Sequence, residues 1–392
     1  MRDSLLLLAV VVGSYLAAHV IFERFAKRFA LVSGAEYLVL GVVLGPQATG
    51  VLTPDTIESF QPLITLGLGW IGALVGARFV LSVLVRTPAI RYRIAISEAA
   101  VTMVATGGCA YLVGARLVGL PDEIALLVAA GLALTSLPAS SAGLEVVEQG
   151  TAARDPVVRQ VSVSTQMLAG IASAGLALLF ALVHDSPTSL PRRLVPTEWF
   201  VVTIAIGLVG GLLFHLFVGD ERKADRVFVS LAGVIVLVSG AASSLRLSPV
   251  FAAMVFGVIL GNSRTNRTVM LTALARVERP FYFALLIFAG ALWEVPAPAA
   301  LPIAAAVLLV RPLARVGGGG LAARANAAVD ELGPGWGRAL IGHGGFALIL
   351  AMDYLLQGTL PEGGLVFATV VGSMILTDVG SVRVLQSVRV FR

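Results

Sequence analysis

Residues 123–147 read "EIALLVAAGLALTSLPASSAGLEVV". The stretch is apolar enough to lie in a membrane, yet Leu137-Pro138 interrupt it at its centre, among the hydroxyls of Thr135, Ser136, Ser140 and Ser141. Proline lacks the backbone donor and clashes with the carbonyl four residues back, so a helix breaks or kinks there. Each backbone group left unpaired in hydrocarbon costs roughly several kcal/mol, so it must meet protein, an ion or water. A simple kink, with the hydroxyls bonding back to carbonyls one turn earlier, fits these residues alone. A second break, in a matching place, favours something else.

That second break lies at 337–353, "GRALIGHGGFALILAMD", where Gly342, Gly344 and Gly345 flank His343. The chain echoes itself at nearly the same distance elsewhere. "GVVLGP" at 41–46 returns as "GVILGN" at 257–262, an offset of 216, and Gly72 of "IGALVG" matches Gly290 of "AGALWE" at 218. Pro138 and His343 are 205 apart. Seven spans separate the members of each pair, an odd number, so the copies enter the membrane with opposite polarity. Helices broken at matching points of inverted repeats meet near the bilayer midplane, where their freed backbone and half-helix ends face a polar cavity.

The composition agrees. The chain of 392 residues is 57% hydrophobic and 13% charged, with 42 glycines, and its mean hydropathy is +0.92. A soluble domain could not hide that much apolar surface. Alternating segments of the membrane β-barrel kind are absent. The reading is an all-α polytopic membrane protein of about thirteen spans, near 4–22, 34–50, 60–85, 93–117, 122–145, 157–184, 197–218, 225–242, 248–262, 277–294, 297–317, 334–357 and 363–386. "ERFAKR" after the first of them favours a retained span over a cleaved signal peptide.

Twenty loop arginines and lysines, among them Arg24, Arg86, Arg222, Arg264, Arg315 and Arg389, fall on one side, against five on the other: Arg2, Arg116, Arg192, Arg193 and Arg246. The positive-inside rule then places the C-terminus in the cytoplasm and the N-terminus outside, in a bacterial inner (plasma) membrane. The net charge of +5 reads as topology, since no basic, aromatic-studded surface suggests nucleic acid. The single Cys109 allows neither an intrachain disulfide nor a cysteine metal cluster. No cofactor or metal is expected, and no nucleophile–base pair suggests an enzyme.

"GVVLGP", "LSPVFAAMVFGVILGN" at 247–262, "VRPLARV" at 310–316 and "GWGRALIGHGGFALILA" at 335–351 resemble, in order and spacing, the monovalent cation–proton antiporter superfamily, the sodium/hydrogen exchangers. The resemblance implies inverted-topology repeats with two discontinuous crossing helices. It implies scaffold and dimerisation parts at 1–92 and 225–296, core transport parts at 93–184 and 297–392, and a linker helix at 185–224. It further implies a homodimer, alternating access, and exchange of a small monovalent cation for a proton.

The chain departs from that family where the chemistry sits. "SVSTQMLAGIASAG" at 162–175 aligns with the span that carries the coupling Asp, and Met167, after Gln166, stands in its place. No carboxylate flanks Pro138, and Gly345 stands where the family has Glu. A thioether neither titrates nor suits a hard cation. Either another residue couples the proton, or the chain is a sensor, a partner-binding subunit or a proton-independent channel-like pathway.

Thr135, Ser136, Pro138, Ser140, Ser141, Ser164, Thr165, Gln166, Met167, His343 and Gly344 are the expected ion pathway. The substitutes for the missing carboxylate are three. His343 titrates nearest neutrality. Asp353 lies ten residues on, roughly 15 Å along the helix and toward the outer face. Glu98 either faces a cytoplasmic vestibule or pairs with Arg91 or Arg93. Arg311 is expected to bind freed carbonyls or a nearby carboxylate, and Asp378 to pair with Arg383.

Overall fold

A computed structural model describes residues 34–140, 155–184, 193–218, 223–263 and 267–390, the last thirteen of these as backbone only. The expected first span, Ser141 and the pairing of Asp378 with Arg383 lie outside what is described.

The elements are helical. In order they are α1 (Ala35–Leu44), α2 (Gln61–Ala77), α3 (Ala89–Leu112), α4 (Asp122–Thr135), α5 (Pro156–Val183), α6 (Pro196–Val218), α7 (Ala224–Ser244), α8 (Pro249–Asn262), α9 (Glu278–Leu292), α10 (Leu301–Ala325), α11 (Gly345–Gln357) and α12 (Gly363–Val390). Among the described residues five helices, Ala89–Val118, α5, α6, α7 and α10, are long and apolar enough to cross a membrane. Large apolar side chains such as Val104, Phe217, Leu309 and Leu313 point outward, while Glu98, Arg311, Arg315 and Asp353 are fully buried. That is inside-out for water and right for lipid: this is an integral membrane protein.

Local chemistry sets several ends. Asp155 accepts from the Val157 N–H ahead of Pro156, and Ser248 accepts from the Phe251 N–H ahead of Pro249. Each is a side-chain cap followed by a proline whose missing donor would have gone unused. Gly358, at φ 61°, closes α11 in the left-handed region.

The helices pack in two groups. In one, α2 lies on α8 and α1 on α9; in the other, α3 lies on α10 and α4, and α11 on α12. The repeated glycine motifs meet crosswise in the first group. Gly41 faces Gly290 on α9, and Gly257 faces the Ala73 carbonyl on α2. A Cβ on any of these glycines would overlap facing backbone. Small residues here bring helix axes close, as lipid-embedded packing requires.

Several boundaries differ from the sequence reading. The expected span at 60–85 stops at Ala77 and resumes as a separate short helix, Leu81–Arg86. A short helix, Arg267–Arg276, occupies what reads as loop. The span placed at 297–317 runs as Leu301–Ala325, with Pro312 inside it. Arg315 is therefore not a loop charge marking the cytoplasmic side; it is buried in the protein.

Candidate functional site

The two interrupted segments lie against each other. α4 ends at Thr135 and the chain runs on extended through Ala139, while a tight turn at Trp336–Leu340 precedes an extended stretch that ends where α11 begins. Ala139 and His343 form an antiparallel bridge. The Ser140 N–H donates to the Gly342 carbonyl at 2.9 Å, and the Gly344 N–H to the Pro138 carbonyl at 3.3 Å. Gly344 is required: a Cβ there would stand 2.5 Å from the Ala139 carbonyl oxygen. Gly131 similarly lets the Tyr354 ring of α11 lie on α4.

A helix that stops inside a membrane leaves its last carbonyls without partners. Here they are met in sequence. His343 Nε2 reaches the Thr135 carbonyl at 2.9 Å. The Ser136 carbonyl accepts from Arg311 Nε at 3.1 Å and from Arg315 Nη2 at 2.9 Å. Arg315 Nη2 also donates to the Leu137 carbonyl, and Gly344 takes Pro138 as above. Arg311 Nη1 donates to the Ile341 carbonyl at 2.7 Å, so one guanidinium ties both unwound segments together. Guanidinium at a helix C-terminus complements the dipole. Arg315 Nη1 lies 2.7 Å and 2.9 Å from the two carboxylate oxygens of Glu98.

Comparison with solved structures finds the same architecture. The sodium proton antiporter MjNhaP1 from Methanocaldococcus jannaschii, in its structure at pH 8, matches over 98% of this chain and 95% of that one, with 16% identity and a TM-score of 0.64. An electron-microscopy map of the same antiporter matches over 99% of this chain and 97% of that one, with 16% identity and a TM-score of 0.65. The fold is that of a sodium–proton antiporter. No protein-family model matches the chain, and no curated protein does.

Within the antiporter fold, the crossing is organised by positive charge. Two guanidiniums face one carboxylate, and Arg311 Nη2, Arg315 Nε and His343 Nδ1 are buried without hydrogen-bond partners. A further cation held ~6 Å from one uncompensated guanidinium meets about 3 kcal/mol of repulsion even at an effective dielectric of ~20. Two of the hydroxyls expected on the ion pathway donate within their own helix. Thr135 Oγ1 donates to the Gly131 carbonyl at 2.8 Å and Ser136 Oγ to Leu132 at 2.5 Å, the back-bonding geometry of an ordinary helix end. A carbonyl only accepts, so His343 Nε2 carries a proton as a structural donor. The His343 N–H donates to Thr377 Oγ1 of α12 at 3.0 Å, fixing the turn from a third side.

The α5 hydrogen bonds run within the helix or to other elements. Ser164 accepts from Gln160 at 3.1 Å, and the same Gln160 amide donates to the Arg91 carbonyl. Gln166 donates to the Arg78 carbonyl beyond α2 at 2.5 Å. Thr165 Oγ1 is buried without a partner, and Met167 is half-buried. Ser164 and Gln166 make no hydrogen bond to the residues of the crossing.

The candidate acids divide sharply. Glu98 pairs with neither Arg91 nor Arg93. Its partner is Arg315, with Thr102 Oγ1 donating at 2.9 Å, while Arg91 binds Glu331 at 3.1 Å. Asp353 is fully buried inside the protein, one turn before the end of α11. Ser248 Oγ donates to Asp353 Oδ2 at 2.5 Å, and Gln357 Nε2 to Oδ1 at 3.3 Å. Among the described residues no cation pairs with it. Arg315 and Ser248 are the residues that sequence reasoning missed. The spacing of Arg311 and Arg315, one helical turn apart and so on one face, was the available signal for the first. Ser248 before Pro249 signals only a helix cap.

Proposed function

We propose that this protein is a secondary transporter that works by alternating access and exchanges a small monovalent cation for a proton, with the usual coupling carboxylate replaced by Met167. The observation that carries the reading is the antiparallel backbone pairing at Ala139 and His343. Two unwound segments, held by hydrogen bonds from both sides inside an apolar helical protein, have no use as plain membrane spans. The likeness to a sodium proton antiporter over nearly the whole chain supports the same reading.

In this scheme residues 93–184 and 297–392 form the moving core, 1–92 and 225–296 the scaffold of a homodimer, and 185–224 the link between them. The C-terminus lies in the cytoplasm of a bacterial cell and the N-terminus outside. A second reading, a non-transporting member acting as a sensor or partner-binding subunit, draws on the tight pinning of both unwound segments by Arg311. Purified protein in liposomes separates the two. Addition of Na⁺, Li⁺ or K⁺ dissipates a preset pH gradient if the protein exchanges; a gradient untouched by all three at every pH removes the exchange reading.

A further inference from the structure

We infer that proton and cation compete not at the crossing but at Asp353, with Ser248 and Gln357 as companion oxygen ligands. The inference rests on the transporter reading and names the site of its ion.

Exchange at one site needs a group that holds either a proton or a cation. Among the described residues of the crossing no group can do both, since Glu98 is neutralised by Arg315, and His343, which can take a proton at Nδ1, then repels a cation. Asp353 has what the crossing lacks. Its carboxylate is buried and, among the described residues, hydrogen-bonded only by neutral groups, a hydroxyl and an amide. A buried carboxylate with a guanidinium partner is structural; one without a counter-ion in a membrane protein must hold a proton or gain a cation.

Its place in the fold suits transport. Asp353 is eight residues into α11, about 12 Å from the start of that helix. Ser248 belongs to the other packing group: the hydroxyl that touches Asp353 also caps α8 by accepting from the Phe251 N–H at 3.1 Å. The site therefore spans the boundary that must shear if the core moves against the scaffold. The surrounding elements carry further charged and titratable groups. They are Asp122 and Glu123 on α4, Asp155 before α5 and Arg159 on it, Arg246 before Ser248, Glu278, Arg279 and Tyr282 on α9, Tyr354 on α11, Glu362 before α12, and Asp378, Arg383 and Arg389 on α12. None of those whose side chains are described is a hydrogen-bond or ion-pair partner of Asp353. α2 and α8 contribute no charged residue within their bounds.

The two carboxylate oxygens, Ser248 Oγ and, after an amide flip, the Gln357 oxygen make four hard donors with one negative charge. That set suits Na⁺, Li⁺ or K⁺; a divalent ion would leave a net positive charge in lipid. The step balances. The protonated Asp353 carboxyl gives its proton to water as the cation arrives, leaving carboxylate and cation paired, one charge in for one out.

The test uses the full-length protein, purified and in liposomes, with NaCl, LiCl or KCl against choline chloride. At alkaline pH one alkali cation should raise the melting temperature of the wild type. Its apparent affinity should fall by up to about tenfold per pH unit as protons take the carboxylate. Asp353→Asn, folded and eluting as the wild type does, should lose both this effect and cation-driven proton movement, and Ser248→Ala should weaken the affinity roughly tenfold. If Asp353→Asn fails to fold, Asp353→Glu carries the test through a displaced pH profile. Wild-type exchange that persists in Asp353→Asn or keeps its profile in Asp353→Glu overturns the site and leaves the transporter reading standing. Cation binding that depends on Asp353 without exchange keeps the site and sinks the transporter reading. If no alkali cation is bound or exchanged at any pH, both fall.

Discussion

Two buried polar regions lie on one helix, about 12 Å apart. At the start of α11 the crossing holds Arg311, Arg315 and His343 against, among the described residues, the one carboxylate of Glu98, and their donors meet the carbonyls of Thr135, Ser136, Leu137 and Ile341. Farther along, Asp353 has, among the described residues, only Ser248 and Gln357. Both regions are buried, so burial alone does not separate structure from function. The partner does. A charge met by an opposite charge or by helix-end carbonyls stabilises a fold, and a charge met by neutral groups is left able to change its state.

Breaking the first region should be the more damaging. Arg315→Met strands the Glu98 carboxylate, and removing one partner of a buried pair typically costs about 3–5 kcal/mol. Thermal unfolding in detergent should show a large drop in melting temperature, and the double variant Glu98→Gln/Arg315→Met should recover most of it. If the single variant melts as the wild type does, the pair is not what holds α3 to α10. Gly344→Ala should come next, at about 1–3 kcal/mol, because the added methyl overlaps the Ala139 carbonyl and pushes the unwound segments apart. A neutral result there would mean the segments are not in backbone contact. The smallest effect is expected at His343. His343→Leu removes the donor to Thr135 and should lose about 1–2 kcal/mol, while His343→Gln can keep an N–H there and stay within ~1 kcal/mol of the wild type. Equal losses in both variants would remove the donor role.

Much of this was legible in the sequence. Pro138 among hydroxyls, the glycines around His343 and the offsets linking Gly41 to Gly257 and Gly72 to Gly290 pointed to crossing helices, because backbone breaks in lipid demand partners whatever the tertiary detail. Arg311 as a binder of freed carbonyls followed from the same logic. Side-chain direction was not legible. Thr135 and Ser136 satisfy themselves within their own helix, and Gln166 turns toward Arg78, choices made by packing rather than by residue type. Nor could sequence say that Glu98 meets Arg315 across 217 residues, or that Asp353 meets Ser248 across 105. Arg315 sits at a span's edge in the primary sequence and is read as a loop charge until α10 is seen to extend to Ala325.

The division of labour between the two regions is tested most directly by the pH profile of cation-driven proton movement in liposomes, recorded for the wild type, His343→Gln and Asp353→Glu side by side. The profile of His343→Gln should overlay the wild type, and that of Asp353→Glu should be displaced along the pH axis. A displaced His343→Gln profile with an unmoved Asp353→Glu profile would put the titrating group back at the crossing and contradict the account.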